Sequence, residues 1–232
     1  VKTGEEAVYP YDKLVITTGA TPIIPPIPGA DLEGITTLQS MRDADYLRKI
    51  ADDGTIKKAV VIGAGLIGVE TCEALNLANI DITVVDMLPQ VLVFLDLEMA
   101  LLIENYMHAS GANIVTANPA AAFLGENGRL VGVKLKNGTE LPCELAVVAT
   151  GVRPNSQLAA DAGLEIGQTR GIVVNEQMQT SDPDIYAAGD VTWHYNTIYG
   201  RHVRLESVPN ATEQGKVIAS HMTGNAKPYN SL

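Results

Sequence analysis

The 232-residue sequence is short of cysteine, of basic side chains and of long apolar runs, and each shortage excludes a kind of protein. Its two cysteines, Cys72 and Cys143, lie 71 residues apart with no CxxC or Cys/His spacing, which excludes a zinc site and a disulfide framework and fits a reducing cytoplasm. Sixteen Lys and Arg stand against 27 Asp and Glu, and the resulting charge of −11 opposes a polyanion, so no nucleic-acid partner is expected. The longest apolar stretches, 59–68 and an interrupted 141–152, fall short of the ~20 residues that a membrane-spanning helix needs. No membrane association is expected, and no targeting segment is visible. What is present is a globular composition: 46% hydrophobic and 19% charged residues supply enough apolar surface for one large domain or two small ones.

Along the chain, YPYDKLVITTG (9–19) reads as a charged turn entering a strand, and its unalternating Leu-Val-Ile-Thr-Thr run predicts a central strand covered on both faces. Such a strand needs neighbours, so further chain is expected ahead of it. TPIIPPIPG (21–29) holds four prolines in nine residues and reads as an extended domain crossing. Ser40 and Asp43, followed by Ala44, Leu47 and Ile50, predict a capped helix ending at Asp52-Asp53-Gly54. A βαβ unit of 28 residues follows: AVVI (59–62), GAGLIG (63–68), a helical stretch to Asn79, and ITVVD (82–86). A second helix over 96–110 and a short strand at 113–116 continue the α/β alternation. Asn127-Gly128 and Asn137-Gly138 then mark two hairpin turns of an antiparallel stretch. LAVVATG (145–151) and IYAAGD (185–190) return to apolar strands ending at glycine, and a last helix spans 207–222 with Pro209 in its first turn.

The strongest motif is VIGAGLIGVE (61–70), placed directly between a buried strand and a helix. Gly63 allows the tight turn, Gly65 clears the approach of a pyrophosphate to the backbone, and Gly68 lets helix and strand pack closely. The helix that opens at Leu66 and Ile67 presents free N–H groups and a positive dipole end to an anion. Asp86 ends the next strand 18 residues after Gly68, where a carboxylate accepts from a ribose 2′-OH and repels a 2′-phosphate. Met87-Leu88-Pro89-Gln90 brings no arginine, so NAD(H) is favoured over NADP(H).

With these residues in view, the chain resembles the FAD-dependent pyridine nucleotide-disulfide oxidoreductases, over nearly its whole length. ITTGATPIIPPIPG is similar to that family's first Thr-Gly segment (Thr18, Gly19) and crossover, and VIGAGLIGVE to its NAD fingerprint. VVATGVRPN (147–155) is similar to its second Thr-Gly segment (Thr150, Gly151), and TSDPDIYAAGD (180–190) to its second flavin motif (Gly189, Asp190). The resemblance implies that Asp190 binds the ribityl or phosphate oxygens of FAD, that Glu70 lies near the nicotinamide, and that Gly151 lines that side of the NAD site. It implies an α/β fold: a Rossmann-like NAD-binding domain at 30–153, with a parallel sheet and a small antiparallel β-meander. Parts of a second, similar FAD-binding domain would lie at 1–29 and 154–232. The family's first flavin motif, its redox-active cysteines and its C-terminal domain would lie outside this chain, which reads as the centre of a longer cytoplasmic enzyme, a homodimer by the same resemblance.

The function implied is hydride transfer from NADH to FAD and on to a disulfide, oxygen or peroxide, or a small redox protein. No catalytic side chain and no metal are needed from this chain. The alternative is a non-catalytic NAD-binding module. For the acceptor, RHVRLESVPNATEQGK (201–216) resembles ferredoxin-type reductases, whereas IPGADLEGITTLQSMRDAD (27–45) and VVDMLPQVL resemble NADH oxidases and coenzyme A-disulfide reductases. Among the remaining candidates, Cys72 reads as an inert packing thiol rotated away from an Ile67, Thr71, Ala74, Ala78 stripe, and Cys143 likewise as inert. His108 and His221 suit helix C-termini. His194 and His202 flank WHYNTIYGRHVR, read either as a solvated loop with aromatic anchors or as a contact surface for flavin or an acidic partner, with Arg201 and Arg204 as its basic patch.

Overall fold

A computed structural model of the chain describes Gly4, residues 6–225 and residues 227–229. It divides into two compact units: one contiguous, 22–152, and one assembled from 1–21 and 153–232. In chain order the first segment supplies β1 (Leu14–Ile16) and β2 (Ala20–Pro22). The contiguous unit then supplies β3 (Ile35–Thr36), α1 (Met41–Asp53), β4 (Lys58–Ile62), α2 (Leu66–Leu77), β5 (Asp81–Val85), α3 (Leu97–Ala109), β6 (Asn113–Val115), β7 (Ala120–Glu126), β8 (Arg129–Leu135), β9 (Glu140–Pro142) and β10 (Leu145–Val148). The remainder forms β11 (Val152–Pro154), α4 (Gln157–Asp161), β12 (Ile172–Val174), β13 (Ile185–Ala187), β14 (Thr192–Asn196), β15 (Arg201–Val203) and α5 (Val208–Met222). No helix among the described residues is long and apolar enough to cross a membrane.

In the contiguous unit a parallel sheet runs in the order β3-β10-β4-β5-β6, the α/β arrangement expected for the Rossmann-like part. β10 is apolar and buried at every position, and β4 at all but Lys58, because both faces are covered. Val61, Val84 and Val147 point into one core, shared with Ile50 of α1, Cys72 and Leu75 of α2 and Met107 of α3. Val60, Val85 and Val148 point into the other, against Phe123, Val133 and Leu135 of the antiparallel β7-β8-β9 meander. Each such fully buried valine or leucine contributes roughly 1.5–3 kcal/mol of transfer free energy. The proline-rich segment belongs to this unit for a local reason: Phe123 N–H donates to Pro28 O at 2.8 Å, and Ile27 and Ala30 pack on the second core.

Capping defines α1 as expected. Ser40 accepts from Asp43 N–H, the Asp43 side chain accepts in return from the Ser40 backbone, and Gly54 closes the helix in left-handed backbone. The two Asn-Gly turns differ from each other, and the second differs from expectation. Asn127 and Gly128 both have positive φ (51° and 80°), as a two-residue hairpin turn requires, but of the second pair only Gly138 does (91°). There Gly138 N–H donates to Leu135 O and Leu135 N–H to Thr139 O, a turn followed by a glycine bulge.

The discontinuous unit is built on β1 paired parallel to β13, a β12-β14-β15 sheet and the β2-β11 pair, with α4 and α5. Its core joins Ile16, Ile172, Val174, Ile185, Tyr186, Val217 and Ile218. Among the described residues β1 pairs only with β13, and Leu14 and Val15 are 36% and 38% exposed, so these residues do not supply the neighbours that its apolar run calls for. Two expectations need correction. The buried face of α2 is Gly68, Thr71, Cys72 and Leu75, so Cys72 lies on the packing stripe, while Ile67 and Ala74 are exposed. The 193–204 stretch is not a loop but the β14-β15 hairpin, paired from His194↔Val203 to Asn196↔Arg201. Its inward positions are Thr192, His194 and Asn196, polar residues that hide the two-residue alternation of a strand.

Candidate functional site

The fingerprint loop 63–68 leaves β4 and enters α2, and its three glycines do different work. Gly63 has φ 107° and a Cβ there would lie 2.3 Å from Ala149 O; a Cβ on Gly68 would lie 1.8 Å from Gly63 O. Both glycines are required by the protein itself. Gly65 is the N-cap of α2 with φ −76°, and nothing lies within 4 Å of a Cβ built on it. Neither backbone strain nor packing within the chain demands glycine there. Open space beside a glycine at a helix N-terminus fits a ligand that must approach the backbone. The first helical bond runs from Val69 N–H to Gly65 O, and no side chain caps α2 and no acidic residue lies in its first turn. The amides of Leu66, Ile67 and Gly68 have no intrahelical acceptor, and the dipole's positive end is uncompensated.

Asp86, half-buried at the end of β5, is joined to this loop. One carboxylate oxygen accepts from Ala64 N–H at 2.6 Å and the other from Leu88 N–H at 2.7 Å, while Leu92 N–H donates to Ala64 O at 2.8 Å. The peptide groups flanking Ala64 are thereby held on both sides by the segment after β5. Thr150 follows β10 beside Gly63, and its hydroxyl donates to Ile23 O at 2.6 Å while Gly151 O accepts Ile23 N–H at 2.9 Å. Leu66, Ile67 and Glu70 are exposed on the first turns of α2.

The discontinuous unit carries the other group. Ala188 N–H donates to Ile16 O at 3.1 Å, which ties the strand before Gly189 to the one before Thr18 and Gly19. Asn155, which the sequence reading did not single out, joins that segment: its side-chain amide donates to Thr18 O, its backbone N–H to Gly19 O, and its oxygens accept from the Thr18 and Thr21 hydroxyls. Gly189 N–H donates at 2.7 Å to Oε1 of Gln214, a side chain only 1% exposed on α5 and also missed. The available signal was a polar residue on the apolar stripe with Val217 and Ile218. Asp190 is half-buried; burial, then the Glu206 charge, raises its carboxyl above the ordinary range, with Arg204 opposing. Arg204 pairs with Glu206 and also reaches Thr169 O.

Burial pushes the Cys72 thiol up to about 11 and the Cys143 thiol up to about 12, so neither supplies a thiolate at neutral pH. His108 contacts Ala112 O across the end of α3, and His221 lies 2.8 Å from the Tyr186 hydroxyl. His202 stacks on Trp193 and meets Tyr195 edge-on, with Arg201 exposed beside it.

A family model described as pyridine nucleotide-disulphide oxidoreductase matches residues 1–215. An NADH oxidase of Methanocaldococcus jannaschii is 38% identical over 230 residues, covering 98% of this chain and 51% of the relative. A NAD-dependent persulfide reductase from A. fulgidus superposes with a TM-score of 0.92 at 41% identity, over 96% of this chain and 41% of that one. A ferredoxin reductase from Rhodopseudomonas palustris superposes with a TM-score of 0.90 at 36% identity, over 95% and 54%. The chain therefore spans between about a quarter and three fifths of the length of the proteins it matches.

Proposed function

Because the chain belongs to the pyridine nucleotide-disulphide oxidoreductase family, we propose that it forms the NAD(H)-binding part, and part of the FAD-binding part, of an FAD-dependent oxidoreductase. The observation that carries this reading is Gly65: a glycine that the fold itself does not demand, between two that it does. When bound, NADH supplies a hydride and FAD accepts it. The chain's own part is to bind and orient. Amides 66–68 and the α2 dipole meet the pyrophosphate charge, Asp86 accepts from the adenosine ribose, and Glu70, Thr150 and Gly151 border the nicotinamide end. Thr18, Gly19, Gly189 and Asp190 address the flavin. We assign the preference to NADH because Asp86 repels a 2′-phosphate and residues 87–90 bring no cation. The names of the relatives, an NADH oxidase, a persulfide reductase and a ferredoxin reductase, support an acceptor among oxygen, sulfur compounds and small redox proteins.

Gly65→Val tests the reading, since a Cβ at this position meets nothing within 4 Å inside the protein. NADH affinity measured by calorimetric titration is expected to fall about tenfold or more, equivalent to ~1.4 kcal/mol, with a small change in Tm. Unchanged affinity would place the cofactor elsewhere. NADH binding by the full-length protein without bleaching of a flavin absorbance would favour the non-catalytic module instead.

A further inference from the structure

The Gly189-Asp190 turn is held from α5 by an arrangement that no motif describes. Gln214 Oε1 accepts Gly189 N–H at 2.7 Å, and its Nε2 lies 3.4 Å from Nδ1 of His194, a β14 side chain that is 1% exposed. A carboxamide has two orientations, and only the one with its oxygen toward Gly189 avoids setting two donors against each other. The NH2 group then faces His194 Nδ1, which must accept, so the ring proton sits on Nε2. Yet His194 Nε2 is the one buried side-chain nitrogen or oxygen among the described residues with no hydrogen-bond partner, its ring lying edge-on to Tyr229 at 5.2 Å. The tautomer is therefore dictated by Gln214 rather than by a bond of its own. Burial lowers the His194 imidazole to about 4, which keeps the ring neutral and Nδ1 an acceptor at physiological pH.

We propose that His194 is a positioning residue for the flavin-binding turn: its unprotonated Nδ1 fixes the Gln214 carboxamide so that the oxygen holds Gly189 N–H and with it the direction of the Asp190 carboxylate. This rests on the assignment of Asp190 to FAD. Two substitutions separate positioning from packing, because His194→Phe keeps an aromatic ring and loses the acceptor, whereas His194→Asn loses the ring and keeps an acceptor near Nδ1. FAD is removed from the full-length holoprotein and rebound to wild type and both variants, with flavin fluorescence as the readout. His194→Asn is expected to stay within about threefold of wild type and His194→Phe to bind about tenfold more weakly, the scale of one lost buried hydrogen bond. The reverse order, or equal loss in both, would assign His194 to packing and overturn the proposal. Long-range 15N–1H correlation on the His194 ring is expected to show the Nε2–H form, and an Nδ1–H form would overturn it independently of flavin. Wild-type protein that never binds FAD would instead sink the functional assignment itself.

Discussion

In the proposed reading, Asp86 links ligand choice to the stability of the loop at 63–68. Asp86→Ala leaves the Ala64 and Leu88 amides without their charged acceptor, so the variant should lose about 1–3 kcal/mol in urea denaturation as well as its preference for NADH. In steady-state kinetics the NADH/NADPH ratio of kcat/KM should fall by about tenfold, and an unchanged ratio would remove Asp86 from the ribose site. His194 gives the pH dependence. Burial moves its imidazole from an ordinary 6.5 to about 4 in the folded chain, so between those values the unfolded chain binds the extra proton. Its contribution is present in full above pH 6.5 and declines as pH falls toward 4, by up to about 1.4 kcal/mol per pH unit. Asp190, whose carboxyl is raised, acts in the opposite direction over the acid range, so the comparison must be with a variant rather than with theory. Denaturant midpoints at pH 7 and pH 5 should therefore shift more for wild type than for His194→Phe; equal shifts would mean the imidazole is not held neutral.

At the scale of elements, the two Asn-Gly turns show how one dipeptide serves two geometries. Asn127 occupies left-handed backbone that glycine adopts freely, so Asn127→Gly should change stability by less than about 0.5 kcal/mol. Asn137 instead accepts Thr139 N–H through Oδ1 and takes Asn118 Oδ1 on its own N–H, and Asn137→Gly should cost about 1 kcal/mol or more in thermal melts. What sequence made legible follows the same division between local and distant causes. The β4-loop-α2-β5 unit and the Ser40 cap were readable because strand, glycines, cap and acid determine one another within a few tens of residues. Gln214 and Asn155 were not, because each acts on a turn remote in sequence, Gly189 and Thr18 respectively, with nothing in the intervening pattern to pair them. The β14-β15 hairpin escaped because its inward residues are His and Asn, whose burial is fixed by tertiary partners. The face of α2 escaped because the helix is apolar nearly all round, so periodicity could not choose a side.

For the whole molecule, the decisive feature is that one unit is contiguous and the other is not. Residues 22–152 contain a five-stranded parallel sheet with a separate core on each face, and every strand of that sheet finds its partners inside the segment. Expressed alone, this segment should melt cooperatively and bind NADH with an affinity near that of the longer protein; a non-cooperative transition would show that it needs the flanking residues. The other unit joins Leu14, Val15 and Ile16 to Ile185, Tyr186 and Ala187. On a ribosome adding about 5–20 residues per second, β1 emerges and waits on the order of ten to thirty seconds for β13 to be made. Throughout that interval the inserted domain can already fold, while an apolar strand edge hangs open to chaperones and to the edges of other nascent chains. The order of synthesis thus leaves β1 unprotected until β13 has been made, long after the fingerprint loop at 63–68 has left the ribosome.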